Sequence, residues 1–221
     1  MIPLHTIGTA RVLFVMAARA EWGEHCRKLF TPLFCGVGPV EAGVATARCL
    51  AGLAAAGTPP DLVVSLGSAG SRTLVQAGLY QVSSVSYRDM DASVLGFPRG
   101  VTPFLDLPPV LSLPCPFPDI PQATLATGAS VVSGAAYDGI AADMVDMETF
   151  AVLRACQTAQ VPLIGLRAIS DGAAELRALS DWTEYLHVVD EKLAHAVSRL
   201  ADVDWRAAIA LRAEDDRASP P

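Results

Sequence analysis

The chain has 221 residues, enough for one large domain or two small ones, and hydrophobic residues make up 52% of it. Its 16 basic and 23 acidic residues give a net charge of −7, which argues against a nucleic-acid-binding protein because such surfaces are usually basic. No apolar run reaches the roughly 18 residues that cross a bilayer, and residues 1–9 lack the pattern of a signal peptide, so we predict no membrane span and no leader.

The five cysteines are odd in number and lack C-x-x-C spacing, which is typical of reduced thiols in a cytoplasmic protein. The four histidines form no ligand cluster along the chain. We therefore expect no disulfide, no metal site and no cofactor.

The N-terminal part begins with a continuous apolar run at 11–16, which predicts a strand buried on both faces. The chain then turns helical, so that Glu21 follows the end of this strand; the helix dipole alone would also favour an acid there. A short strand at 33–35 and an Ala-rich helix at 40–56 come next, and the sequence Gly-Thr-Pro-Pro at 57–60 ends the helix.

The middle of the chain predicts a buried strand at 61–66 that runs into the small residues 67–71. Small residues at a strand end let the backbone approach a ligand, although a tight packed turn has the same composition. A strand at 79–87 is followed by a long loop at 88–121, with a strand fragment near 110–113. Loops of this length are usually functional or lie at an interface.

The C-terminal part predicts a strand at 123–128, a helix that opens at Glu148, and a strand at 163–168 that delivers Asp171 at its carboxyl end. A helix with a one-faced apolar stripe follows at 181–200. In open α/β sheets ligands bind at the carboxyl ends of strands, so two carboxylates arriving there indicate a polar ligand and acid–base chemistry. A capping Asp and a solvated Glu at a helix end are the alternative interpretation.

Strands alternate with helices along the chain, which predicts the α/β class with a central mixed, twisted sheet flanked by helices. There is no internal repeat and no evident linker. We expect a single domain over residues 1–211 and a disordered acidic tail over 212–221.

Several short motifs, in order and at suitable spacing, resemble the purine nucleoside phosphorylase/uridine phosphorylase superfamily, and most closely its 5′-methylthioadenosine/S-adenosylhomocysteine nucleosidase branch. They are VMAARAE at 15–21, GVGPV at 36–40, GSAG at 67–70, YRDMD at 87–91, VDME at 145–148 and RAISD at 167–171. The last two are the most specific. The resemblance extends from about residue 12 to residue 200 and implies a hydrolytic N-glycosidase that binds a purine nucleoside and releases adenine.

The resemblance also implies roles for the acidic residues. Asp171 matches the general acid that donates a proton toward adenine N7, and Ser170 would help to hold it. Glu148 matches the acceptor of the ribose hydroxyls, and Met147 would pack on the sugar. Glu21 matches the acid that activates the attacking water.

Other matched positions would line the substrate. Ser68, Ala69 and Gly70 would lie along the sugar and the water, and Val131 and Val132 would meet the base. A final group would cover the 5′-substituent from the partner subunit of a homodimer: Leu95, Phe97 and Pro103.

The chain departs from the branch at a few of these positions. Val131 replaces an aromatic residue that stacks on adenine in many relatives. Arg19 and Ala20 replace acids that often precede the water-activating Glu, so Glu24 is an alternative to Glu21 for that role.

Other activities with the same fold stay open. They are a futalosine hydrolase, another purine nucleosidase, a phosphorylase, and a nucleoside-binding protein without turnover. A phosphorylase needs a cationic anion site, for which the sequence offers Arg19, Arg48, Arg72 and Arg88.

Overall fold

The computed structural model describes residues 4–172 and 175–218, and within them the strands form one mixed sheet. The strands are β1 (His5–Ile7), β2 (Ala10–Met16), β3 (Leu33–Phe34), β4 (Leu62–Gly70), β5 (Leu79–Tyr87), β6 (Val110–Ser112), β7 (Gln122–Thr127), β8 (Met144–Asp146) and β9 (Leu163–Asp171). The helices are α1 (Glu24–Arg27), α2 (Pro39–Ala55), α3 (Thr149–Thr158), α4 (Leu179–Thr183), α5 (Leu186–Ser198) and α6 (Trp205–Ala218). Short 3₁₀ helices occur at Arg19–Glu21, Ser93–Leu95 and Gly134–Gly139. The predicted α/β class with a central mixed sheet flanked by helices is confirmed.

The centre of the sheet curls and closes on itself. Strand β4 pairs in parallel with β2 and β9, β9 is antiparallel to β5, and β5 and β8 are both parallel to β7. The ring is completed where β8 meets β4 in an antiparallel bridge between Val145 and Gly70. The sequence analysis assumed an open sheet, whereas the centre of the observed sheet is closed. The carboxyl ends of β2, β4 and β9 nevertheless lie together.

Each face of the sheet has its own hydrophobic core, because successive residues of a strand point to opposite faces. In β2, Leu13 and Val15 pack into the core that α2 and α3 cover. Val12 and Phe14 point the other way, into the core that α5 covers. These two layers of helices hold the strand ends in place around the site described below.

The observed strands and helices differ from the sequence prediction in several places. Strand β4 continues through the small residues to Gly70, because β9 pairs with it along this whole stretch. The helix expected at 181–200 is two helices, α4 and α5, which Glu184 and Tyr185 separate. The short strands β1 and β8 were not predicted, since three residues carry too little periodicity to be recognised.

The C-terminal segment is helical where a disordered tail was expected. Helix α6 runs to Ala218 and crosses the domain boundary drawn at residue 211. Ala, Arg and Glu are strong helix formers, which accounts for the helix despite the charge of this stretch. Residues 219–221 lie outside the described part of the chain. Among the described residues, no helix combines the length and the apolar character that a membrane crossing requires.

Candidate active site

A cavity of about 560 Å³ opens at the carboxyl ends of β2, β4 and β9. Its volume lies within the range of roughly 300–1,000 Å³ that is usual for small-molecule sites. The structure brings most of the predicted site residues together on its walls: Glu21, Ser68, Ala69, Gly70, Val131, Val132, Met147, Glu148 and Asp171. Residues that are distant in sequence thus share one concave surface.

Glu21 lines this cavity and is almost fully buried, with 4% of its surface exposed. It lies at the end of the 3₁₀ helix that follows β2. Its Oε1 accepts hydrogen bonds from the backbone N–H of Ser68 at 2.7 Å and from the hydroxyl of Ser68 at 2.8 Å. Burial raises the pKa of Glu21, while the two bonds from Ser68 and the charge of Arg167 oppose that rise.

Glu148 occupies the middle of the cavity wall as the N-cap residue of α3. Its Oε1 accepts a hydrogen bond from the N–H of Gly38 at 2.9 Å. Burial, reinforced by the neighbouring charge of Asp146, raises the pKa of Glu148 to about 7. A carboxylate with one oxygen held by the backbone has its other oxygen available for ligand hydroxyl groups.

A buried ion pair lies beneath Glu21 and Glu148. The Arg167 guanidinium donates to Asp146 at 3.0 Å, and the two side chains are 3% and 1% exposed. Arg167 also donates to the hydroxyls of Ser65 and Thr149. Its positive charge opposes the rise in the pKa of both Glu21 and Glu148, so it favours their ionised forms. A small second cavity, bordered by Arg167, joins the two carboxylates.

Asp171 also lines the cavity, as the last residue of β9. Its Oδ1 accepts a hydrogen bond from the Ser170 hydroxyl at 2.6 Å, and its Oδ2 lies against the Cα of Gly70 together with the Tyr137 hydroxyl. Burial raises the pKa of Asp171, which favours the protonated acid. The Tyr137 hydroxyl is buried and has no hydrogen-bond partner among the described residues.

Four predicted residues do not line the cavity. Ser170 is buried behind Asp171 and holds it, in agreement with its expected supporting place. Leu95, Phe97 and Pro103 lie in the loop after β5, where Leu95 is 72% exposed. Within this chain they contribute nothing to the site.

Glu24, the alternative to Glu21, points away from the site. It is exposed, forms an ion pair with Lys28 at 2.8 Å and does not line the cavity. Of the arginines considered as an anion site, only Arg88 lines the cavity, where it donates to Ser130. Arg72 pairs instead with Asp138, and Arg19 lies over the ring of Phe34.

Sequence reasoning assigned no role to two residues that the geometry makes prominent. The sequence could have identified Arg167, because a charged residue inside an apolar strand is unusual unless it is paired with an opposite charge. Trp182, on α4, also lines the cavity, and its indole N–H donates to the Ser68 hydroxyl at 3.0 Å. Nothing in the sequence indicates that contact, because the two residues are 114 positions apart.

The described residues include no group of three or more His, Cys, Asp or Glu side chains arranged to hold a metal ion. The five cysteines are free thiols. Burial raises the pKa of each thiol, to about 11 for Cys49 and to about 12 for Cys156, which keeps both protonated near neutral pH.

Comparison with known proteins agrees with the resemblance found in the motifs. Residues 124–208 match the model of the phosphorylase superfamily. No curated protein matches the chain. Among solved structures, the 5′-methylthioadenosine/S-adenosylhomocysteine nucleosidase of Helicobacter pylori superposes with a TM-score of 0.71 and 20% identity, over 86% of this chain and 97% of that one.

Two further structures are similar to the same extent. A futalosine hydrolase mutant of Helicobacter pylori gives a TM-score of 0.71 and 19% identity, over 86% of this chain and 98% of that one. The 5′-methylthioadenosine/S-adenosylhomocysteine nucleosidase of Colwellia psychrerythraea, in complex with adenine, gives a TM-score of 0.69 and 20% identity, over 86% of this chain and 95% of that one. These superpositions show that the chain has the fold of these nucleosidases. Together with the match over residues 124–208, they confirm the resemblance to the phosphorylase superfamily.

Proposed function

We propose that this protein is a hydrolytic N-glycosidase that cleaves the bond between C1′ and N9 of a purine nucleoside. The observation that carries the proposal is the convergence of Glu21, Glu148 and Asp171 on one cavity. The transition state of such a reaction resembles a ribosyl oxocarbenium ion. It needs a proton for the leaving base, support for the sugar cation, and an activated water.

Asp171 supplies the proton in this proposal. As C1′–N9 breaks, the bonding electrons move into the purine, and Asp171 donates its proton to N7 so that the base leaves neutral. That role requires a carboxylic acid that is protonated near neutral pH. Burial raises the pKa of Asp171, and the bond from Ser170 fixes the orientation of the carboxyl group.

Glu148 and Met147 hold the sugar. The carboxylate of Glu148 accepts hydrogen bonds from the ribose hydroxyls, and its negative charge stabilises the cation that develops at C1′. Met147 packs on the sugar face. The hydrogen bond from Gly38 supports this arrangement because it fixes one carboxylate oxygen of Glu148.

Glu21 activates the water. The water attacks C1′ from the face opposite the base and transfers a proton to Glu21, so that the products are the free base and the free sugar. The division of roles is supported by the separate surroundings of the two acids on the same cavity, since Glu21 is held by Ser68 and Asp171 by Ser170. Phosphorolysis is disfavoured, because Glu21 would repel a phosphate and Arg88, the one candidate arginine on the cavity wall, is already engaged with Ser130 and Asp89.

We propose 5′-methylthioadenosine and S-adenosylhomocysteine as the substrates. The support is the motif resemblance and the structural similarity to nucleosidases of those compounds. Val132 is buried on the cavity wall and would meet adenine through its backbone, whereas Val131, 67% exposed, would cover it without stacking. Hydrolysis of futalosine is the second candidate, favoured by an equal TM-score to a futalosine hydrolase.

We also propose that the active form is a cytoplasmic homodimer. The loop after β5 carries apolar side chains that would cover the 5′-substituent of the neighbouring subunit: Val94, Leu95 and Phe104, which are exposed, and Phe97 and Pro103, which are half-buried. Phe104 is 97% exposed and contacts Phe97 edge to face. An apolar patch of this kind on a monomer usually marks an interface.

Chromatography of the reaction products tests the activity. The protein is incubated separately with methylthioadenosine, S-adenosylhomocysteine and futalosine, with and without phosphate, and the free base is measured. We expect adenine from the first two substrates at a rate that phosphate does not change. Release of no base from any of them by the folded protein would contradict the proposal, and a strict need for phosphate would assign a phosphorylase.

A further inference from the structure

One wall of the cavity is built by the segment that links β9 to α5. Its described part is residues 175–185, which include α4, and Leu176, Leu179 and Trp182 from it line the cavity. At one end of the segment, the N–H of Leu176 donates a hydrogen bond to the Ser133 hydroxyl at 2.9 Å. At the other end, the wall is joined to β4 by the bond from Trp182 to Ser68.

The bond between Trp182 and Ser68 has only one possible direction. An indole N–H is a donor and never an acceptor, so the Ser68 oxygen must accept from Trp182. The single hydroxyl proton of Ser68 is then directed to its other neighbour, the Oε1 of Glu21 at 2.8 Å. The three side chains therefore form a one-way chain of hydrogen bonds that ends on a carboxylate.

From this geometry we infer that Trp182 is a positioning residue that acts through Ser68 to hold Glu21 in the orientation in which it activates water. Because Trp182 belongs to the wall of the cavity, the same chain links the position of that wall to the carboxylate. The inference deepens the proposed function and rests on it for the role of Glu21, but the hydrogen-bond chain itself does not.

Other titratable or charged groups lie near Glu21, and their influence on its pKa must be separated from that of Trp182. From β9 comes Arg167, from the start of α3 comes Glu148, and Cys35 follows β3. Asp190 of α5 binds the backbone N–H groups of Gly23, His25 and Cys26, just after Glu21. None of these contacts includes Trp182, so a change at Trp182 leaves them in place.

Replacement Trp182→Phe keeps an aromatic ring in the wall, removes the N–H donor and leaves a smaller ring. Because a neutral hydrogen bond is lost, we expect kcat of the variant to fall about fivefold. KM should stay within about twofold, because the ring still covers the cavity. The acidic limb of the kcat/KM profile should move to higher pH, since loss of the directed Ser68 proton raises the pKa of Glu21. In a Ser68→Ala background the same replacement should have no further effect.

Nuclear magnetic resonance tests the chain without turnover. The indole N–H resonance of Trp182, assigned by removing the other two tryptophans in Trp22→Phe and Trp205→Phe, should shift as Glu21 ionises. It should cease to titrate in Glu21→Gln and in Ser68→Ala. If it titrates as expected but no nucleoside is cleaved, the hydrogen-bond chain stands, whereas the proposed function and the role of Glu21 in activating water fail.

The inference is overturned by either of two results. One is an indole resonance whose pH dependence is the same in Glu21→Gln as in the original protein. The other is a Trp182→Phe protein with unchanged kcat and an unchanged acidic limb. If Trp182→Phe fails to fold, the resonance measurements alone decide, because they leave Trp182 in place.

Discussion

Gly38 and Glu148 join the N-termini of two helices through one hydrogen bond. Gly38 is the N-cap residue of α2 and Glu148 the N-cap residue of α3, and the N–H of Gly38 lies 2.9 Å from Oε1 of Glu148. Gly38 has φ = 95°, a conformation that favours glycine. The orientation of a proposed substrate-binding carboxylate thus depends on the backbone of a residue 110 positions away.

Replacement Gly38→Ala should weaken this arrangement. An added Cβ meets no atom within 4 Å, so the cost comes from the backbone conformation alone (φ = 95°, ψ = 156°) and amounts to about 1–3 kcal/mol of folding free energy. We expect a lower Tm and a KM raised several-fold, because Glu148 loses its fixed orientation. Calorimetry and steady-state kinetics measure the two effects.

The control for this variant is Gly52→Ala, in the interior of the same helix and likewise without a neighbour within 4 Å of the added Cβ. There alanine should stabilise by about 0.5–1 kcal/mol and leave KM unchanged. Equal effects of the two substitutions would contradict the special role of Gly38.

Replacement Glu148→Gln should raise stability in a pH-dependent way. The pKa of Glu148 rises from its ordinary value of 4.5 to about 7 in the folded protein. Below pH 4 the group is protonated in both states and contributes nothing. Between pH 4.5 and 7 its ionisation progressively destabilises the folded state, and above pH 7 the cost is complete, on the order of 1–3 kcal/mol.

Unfolding in urea at pH 4 and at pH 8 checks this sign. The variant should match the original protein at pH 4, exceed it at pH 8, and be inactive at both. A variant that is less stable at pH 8 would show that the carboxylate stabilises the empty site.

The dependence of kcat/KM on pH should be bell-shaped. Glu21 must be ionised to accept a proton, so activity falls as pH drops below its raised pKa. Asp171 must be protonated to donate one, so activity falls as pH rises above its raised pKa. Glu24→Gln, which changes an exposed acid outside the cavity, should leave both limbs in place.

Replacement Arg167→Met should destabilise the fold by about 3–5 kcal/mol, because Asp146 would remain buried without its partner. Denaturant unfolding measures the loss, and the double variant with Asp146→Asn should recover part of it. The control Arg199→Met breaks an exposed ion pair with Asp119 and should leave Tm almost unchanged. A small effect of Arg167→Met would show that solvent or a neighbour compensates the Asp146 charge.

Replacement Phe104→Asp should dissociate the proposed homodimer and raise KM for substrates with a large 5′-group. Analytical ultracentrifugation gives the mass in solution. Leu211→Asp changes another exposed apolar residue, 63% exposed on α6, and should leave the mass unchanged. A monomeric original protein with full activity would refute the dimer.

Much of the fold was predictable because its signals are local. The apolar run of β2 and the Ala-rich α2 followed directly from residue pattern, within one residue of their observed limits. The closure of the sheet was not predictable, since a single bridge between Gly70 and Val145 completes the ring. The helix to Ala218 was missed because charge pattern was weighed above helix propensity.

In the site too, residues with a local sequence signal were predictable and residues placed by long-range packing were not. Glu21 and Asp171 were chosen because they follow predicted strands, Glu148 because it opens a predicted helix, and all three because they match family motifs; all three line one cavity. Their supports were not predictable from pattern. Trp182 reaches Ser68 only through the packing of α4, and Arg167 reaches beneath both glutamates from inside β9.

Release of adenine from methylthioadenosine, compared between the original protein and Asp171→Asn, tests the central claim most directly. The account predicts stoichiometric adenine from the original protein. It also predicts a rate about 10²–10⁴-fold lower in the variant, with nucleoside binding retained by calorimetry. An Asp171→Asn protein that releases adenine at the original rate would contradict it.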